Sequence, residues 1–294
     1  MQPIHRFSTT FLALCLLSVA LVLPARAQST DSITTAELTI AKAQQLATKS
    51  KSWLSLNGVT ALTDAQIATT LCSHQGGGLV LDGVTNLSTA AATALANYPG
   101  WLSLGGLSSL STAQAQELAK HTGKGIYLNG VRAIDQTVAA KFSKHTGWLS
   151  LGGLKKNGPK NDGGLTKKIA TELAKHPGPL CLNGINDIDP AVLGELANGC
   201  RGGLDLSGLT SLTPAQFKRL GNHSGWLALD GLTSIPDNVV SDIVAHDGSV
   251  GLLGIITISG NQNTAKQTLR AAGKVRLPAT MLEDREEEEE DDDD

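Results

Sequence analysis

Six histidines, His74, His121, His145, His176, His223 and His246, recur along the chain at one place in a repeated motif. Imidazole is the commonest metal ligand of proteins, so such a row raises metal chemistry first. The motif puts each ring at the end of a short helix, and neighbouring helices pack about 8–10 Å apart. Two nitrogens on one zinc ion need bonds of about 2 Å. The row is therefore not expected to hold a metal, and nothing else in the chain calls for a cofactor. The expected role is structural, because a histidine in a last helical turn donates to orphan carbonyls and complements the helix dipole.

Trp53, Trp101, Trp148 and Trp226 share a second slot, the residue before the first leucine of a Leu-x-Leu pair. Strand alternation sends this side chain to the face away from the leucines, or to its rim. The slots between them hold Gly78, Gly125, Pro179 and Gly203. With strands about 4.8 Å apart, Trp53, Trp101 and Trp148 are expected at intervals of roughly 10 Å. Two readings stand. The indoles stack sugar rings or anchor a partner, or each covers a neighbouring glycine and seals the sheet. Tyr127, between Trp101 and Trp148, is expected to complete a central aromatic patch. The remaining slots of that face are mostly small and polar, among them Ser55, Asn57, Asp82, Ser103, Asn129, Ser150, Asn183, Asp205, Ser207 and Asp230. They are expected to face solvent, where they can hydrogen-bond a ligand.

Catalysis is not expected. Strand serines and helix-end histidines fall in separate slots, beyond the reach that general base chemistry needs. No Gly-rich phosphate loop or Cys-x-x-Cys pair occurs. Cys72 sits where other units carry a buried helical alanine and reads as inert core. Cys181 and Cys200 fall in neighbouring units, and a disulfide between them is left open, since their slots do not guarantee a Cα separation below about 7 Å.

What positions these rows is a repeat. The glycine of Leu-x-Leu-x-Gly recurs as Gly58, Gly83, Gly106, Gly130, Gly153, Gly184, Gly208 and Gly231, at spacings of 25, 23, 24, 23, 31, 24 and 23 residues. A degenerate ninth copy follows at Val250–Gly254. Within a unit the period changes. Leu102 and Leu104 alternate as in a strand, a turn brings Leu107 and Leu110, and Ala115, Leu118 and Ala119 line one helix face. Capping boxes are expected at Ser111 with Gln114, Thr63 with Gln66 and Thr213 with Gln216. Pro190 and Pro214 suit a first helical turn, and the helix of the Ser111 unit is expected to close near Gly123. One unit cannot bury its leucine face alone, so the units must stack.

The pattern Leu-x-Leu-x-Gly-Leu-x-x-Leu-Thr-Asp/Pro, followed by Leu-Ala-x-His-x-Gly, resembles the leucine-rich-repeat family from Trp53 to Gly260. It is most similar to the cysteine-containing subtype, although the family's inward cysteine is here Val59, Val84, Leu107, Val131, Leu154, Ile185, Leu209 and Leu232. The resemblance implies an α/β fold: a right-handed solenoid with a parallel sheet on its concave face, short helices on its convex face, and a binding role. Residues 28–52 are expected as an N-terminal helical cap, with the helix at Ala36–Ser50. Residues 53–260 are expected as about nine units with an insertion at 155–168, and 261–282 as a C-terminal cap.

The two ends differ in chemistry. An apolar run from Phe11 to Leu23, then Pro24-Ala25-Arg26-Ala27, reads as a signal peptide over residues 1–27, so export to a periplasmic or extracellular space is expected. The run is short for a stable membrane span. Residues 283–294 are an acidic segment of roughly −10 that is expected to be disordered, while the body between carries roughly +5. Scattered lysines and few aromatics give no nucleic-acid signature. The basic insertion, with Lys155, Lys156 and Lys160, is a second candidate binding element and an expected contact for the acidic segment. The leading expectation is a non-enzymatic scaffold for an unknown protein or peptide. Polysaccharide binding through the tryptophans is an alternative, and a structural role in the cell envelope is another.

Overall fold

A computed structural model describes residues 28–29, 32–155 and 164–282. The expected signal peptide, Lys156, Lys160 and the acidic segment lie outside the described residues. Eleven strands form one sheet, every pair of neighbours parallel. Each unit gives one strand, from Trp53–Ser55 and Gly78–Val80 to Val250–Gly251 and Val275–Arg276. The pairing keeps like slots abreast: Trp53 meets Gly78, Gly78 meets Trp101, and Trp101 meets Gly125. Leu54, Leu79, Leu102, Ile126 and Leu149 form the buried row beside them. The expected α/β leucine-rich-repeat-like solenoid is the fold observed.

Most helices are only seven residues long, such as Thr112–Leu118 and Pro214–Leu220. An isolated helix of that length is unstable in water. Each is held by its buried face and by its caps. Ser111 with Gln114 and Thr213 with Gln216 form complete capping boxes. Both glutamines also reach the preceding unit, Gln114 Nε2 donating to the Leu87 carbonyl at 2.5 Å and Gln216 Nε2 to that of Ile188 at 3.0 Å. The expected box at Thr63 is absent. Asp64 is the cap instead, its carboxylate accepting from the backbone of Gln66 at 2.7 Å and Ile67 at 3.3 Å. A charged acceptor one residue further on makes the stronger bonds and sets the helix start at Ala65.

Neighbouring strands lie about 4.8 Å apart, whereas packed helices need about 8–10 Å. A stack of such units curves, with the sheet on the inner, shorter arc. The turn glycines allow the stacking. A Cβ on Gly184 would fall 1.7 Å from the Gly152 carbonyl oxygen of the preceding unit, a backbone atom that cannot step aside. Gly123 has the same cause. It does not close the helix as expected, because the helix already ends at Leu118 with Ala119 as its right-handed cap, while a Cβ on Gly123 would meet the Tyr98 and Gly100 oxygens at 2.5 Å.

The first helix runs Ile40–Lys49, capped by Thr39, rather than from Ala36. Before it, Gln28–Ser29 adds a strand to the edge of the sheet. At the other end the helix Gln262–Ala271 and the strand Val275–Arg276 complete the stack.

Candidate functional site

The tryptophan slot forms a strip, but not with the expected spacing. The backbone register is regular; the indoles lean. Trp53 lies over Gly78 in the next strand and Trp101 over Gly125, while Trp226 leans back over Gly203. As a result Trp101 and Trp148 stand 6.2 Å apart edge to face, and Trp148 and Trp226 stack at 5.5 Å. The latter pair meet across two intervening strands. Tyr127 joins at 5.5 Å from Trp101. Glycine and proline at the intervening slots leave room for this tilt, which moves the rings off the roughly 10 Å intervals set by the strands. Trp148 is only 6% exposed and its Nε1 has no partner, whereas Trp53, Trp101, Tyr127 and Trp226 are half-buried.

The polar row next to it is not the open surface expected. Ser55, Ser103, Ser150 and Asp205 are buried, as are Val80, Cys181 and Ala228 in the same slot. The cause is the row that follows. Asn and Asp side chains there fold onto the sheet and bond from unit to unit. Asp82 Oδ1 accepts from Ser103 Oγ at 2.5 Å and from the Gly105 backbone at 2.7 Å. Asn129 Oδ1 repeats this with Ser150 at 2.6 Å and Gly152 at 3.0 Å. Asn57 accepts from the Asp82 backbone, and Asp230 from that of Leu253. Burial raises the Asp230 carboxyl above its usual range, the Leu253 amide opposing this, with Asp205 and Arg276 acting in opposite directions. These groups are committed to one another, so the slots counted as a polar binding face mostly hold the units together.

The histidine row is also closer than expected. Its rings sit past the helix ends, in the segment that enters the strand, so they approach strand spacing rather than helix spacing. His121, His145 and His176 follow at 5.8 and 5.6 Å, and His223 and His246 at 5.8 Å. All six are buried. Ring nitrogens that find partners find backbone groups, often in the preceding unit. His74 faces the carbonyls of Ala47 and Ser52, His223 those of Cys200 and Trp226, and His246 that of Gly225. The helix-end carbonyls satisfied are therefore largely a neighbour's, not the histidine's own. Burial, reinforced by neighbouring His145, holds His121 and His176 down at about 4; burial also lowers His145 and His223. His121 and His176 are therefore neutral at pH 7.

Two units without a histidine also belong to the row. Tyr98 fills the slot beside His74, stacked at 6.3 Å, and Cys200 fills it before His223. The signal was the following x-Gly, common to His74, Tyr98, His121 and Cys200.

Cys72, Cys181 and Cys200 are free thiols, so the disulfide left open between Cys181 and Cys200 is not formed. Cys181 donates instead to Asp205 Oδ2 at 3.1 Å, and Cys200 caps the helix Pro190–Gly199. Burial pushes the thiols of Cys72 and Cys200 up to about 12 and that of Cys181 well above its usual value. Such thiols are poor nucleophiles. Among the described residues no three His, Cys, Asp or Glu side chains gather as metal ligands. Lys155 is exposed and reaches the Gly184 carbonyl at 3.4 Å. No described helix is long and apolar enough to cross a membrane.

No protein-family model and no curated protein sequence matches the chain. Among solved structures it is similar to the Toll–Spätzle complex of Drosophila, at 13% identity over 82% of this chain and 40% of that one, with a TM-score of 0.33. It is also similar to a leucine-rich-repeat protein of Leptospira interrogans, at 17% identity over 77% of this chain and 71% of that one, with a TM-score of 0.28. The chain thus spans less than half the length of the first. The fold assignment rests on the sheet register and the repeat themselves, not on these overlaps.

Proposed function

We propose that the chain is an exported, non-enzymatic scaffold that binds a protein or peptide along the tryptophan strip. One observation carries this reading. Trp53, Trp101, Tyr127 and Trp226 keep part of their surface open on a sheet face whose middle row, Tyr127 apart, is largely closed. Half-open, preorganised aromatics rimmed by polar groups are what a binding hot spot requires. Trp148 serves as the buried wedge against which Trp101 and Trp226 are set. Export rests on residues 1–27 alone.

Comparing the proteins retained by the immobilised chain with those retained by a Trp101→Ala/Tyr127→Ala variant tests the reading. A partner held by the first and lost by the second supports it; identical retention overturns it. A second reading, polysaccharide binding, is favoured by the indoles lying against glycine backbone, which fixes their orientation for sugar stacking. It predicts quenching of tryptophan fluorescence by one member of a glycan panel.

A further inference from the structure

The solenoid has two edges of opposite charge. One edge consists of the segments that lead from each helix end into the next strand. From Lys51 to Lys274 these carry seven lysine and arginine residues against one acid, Asp247. The other edge leads from strand to helix and carries seven aspartates against Arg132 and Lys155 among the described residues. On the basic edge Lys175 is paired with Glu172. Lys124, Lys144 and Arg201 are exposed, with no carboxylate pairing them among the described residues. Lys175 and Arg201 also line an open groove of about 410 Å³ between two units, beside Pro177, Asn198 and Glu195, whose carboxylate is already held by Lys167 and Thr171.

The chain itself supplies a matching polyanion. Residues 286–294 are nine consecutive Glu and Asp. They follow three residues after Leu282, in the terminal helix Ala279–Leu282. Arg270 Nε, in the last turn of the helix Gln262–Ala271, donates to the Met281 carbonyl at 2.6 Å. That bond sets Met281, the residue before Leu282, beside a helix C-terminus, the side on which the basic edge lies. Twelve residues span at most about 40 Å. From the last strand to that of Lys144 is five strand steps, about 24 Å at 4.8 Å each. The acids can therefore reach Arg201, Lys175 and Lys144 in turn.

We infer that the acidic segment 286–294 docks in cis on the basic edge, along Arg201, Lys175 and Lys144, and occupies it against other polyanions. This departs from the basic insertion as the segment's partner, because Lys155 lies on the opposite edge.

Zero-length carboxylate–amine cross-linking of the full chain, mixed with an isotope-labelled copy, tests the inference. The expected result is cross-links from 286–294 to Lys144 and Lys175 within one copy. They should fall several-fold in about 1 M salt, where charges are screened within about 3 Å. Cross-links concentrated on Lys155, Lys156 or Lys160, spread evenly over all lysines, or formed between copies would each overturn it. A full-length variant with the nine acids changed to Gln and Asn should bind a synthetic peptide of residues 286–294 at least ten-fold more tightly than the unmodified chain. Equal binding would also overturn it.

Discussion

The histidine row and the tryptophan row follow one rule and meet opposite fates. Each contributes at most one residue per unit, and within a unit they stand three residues apart, as in His145 with Trp148 and His223 with Trp226. The histidines are buried, and all but His121 take a backbone partner; three of the four tryptophans stay half-exposed and lie against rings and glycines. The two rows touch, because the Trp148 and Trp226 carbonyls face His145 Nε2 and His223 Nε2 at 3.3 Å. A row repeated in sequence marks a slot, and what lies beneath the slot decides whether it is mortar or surface. Here the inner row holds the strand entry on which the outer row is displayed.

Acid gives the largest expected separation of the two. His121 and His176 are held at about 4 in the fold, against about 6.5 in an unfolded chain. Between those values the unfolded state binds more protons, so stability is fully present above pH 6.5 and is lost as pH falls towards 4. The pair should remove on the order of 5 kcal/mol between pH 7 and pH 4. Urea unfolding at pH 7, 5.5 and 4 measures this. A flat profile would show that the rings are not buried neutral.

Truncation should sort the residues next. His145→Ala removes a fully buried ring and should cost about 3 kcal/mol. Trp148→Ala should cost a similar amount, about 3 kcal/mol, because that indole is buried. Trp101→Ala, half-exposed, should cost about 1 kcal/mol while removing binding. Chemical denaturation of the three variants checks the order. If Trp101→Ala were the most destabilising, the strip would be core rather than surface.

How far the sequence carried these conclusions depended on the kind of contact. The unit length, the sheet register and the buried leucines were legible because they follow from periodicity, which is local to the chain. The capping boxes at Ser111 and Thr213 were legible for the same reason, and the one at Thr63 failed because Asp64 offers a better acceptor next door. Contacts between units were not legible. The lean of Trp226 towards Trp148, the burial of Ser103 under Asp82 and the reach of His74 to the Ala47 carbonyl all depend on what the neighbouring unit presents. Ten polar slots therefore read as an open face when most were joints. The four tryptophans and Tyr127 occupy the slots expected of them, with Trp148 withdrawn into the packing.

The smallest expected effect tests that strip most directly. A Cβ at Gly203 would fall 1.7 Å from Trp226 Cε2, so Gly203→Ala must push the indole away. The obstacle is a side chain, not backbone, and it can swing outward. The cost should be about 1 kcal/mol, within the low range for overpacking. The swing should also break the 5.5 Å stack of Trp226 on Trp148, exposing both rings and shifting their emission to longer wavelength. Partner binding should weaken even though no contact residue has been altered. An unchanged emission spectrum would mean that Trp226 does not lie on Gly203 in solution, and the preorganisation on which the binding reading depends would be lost with it.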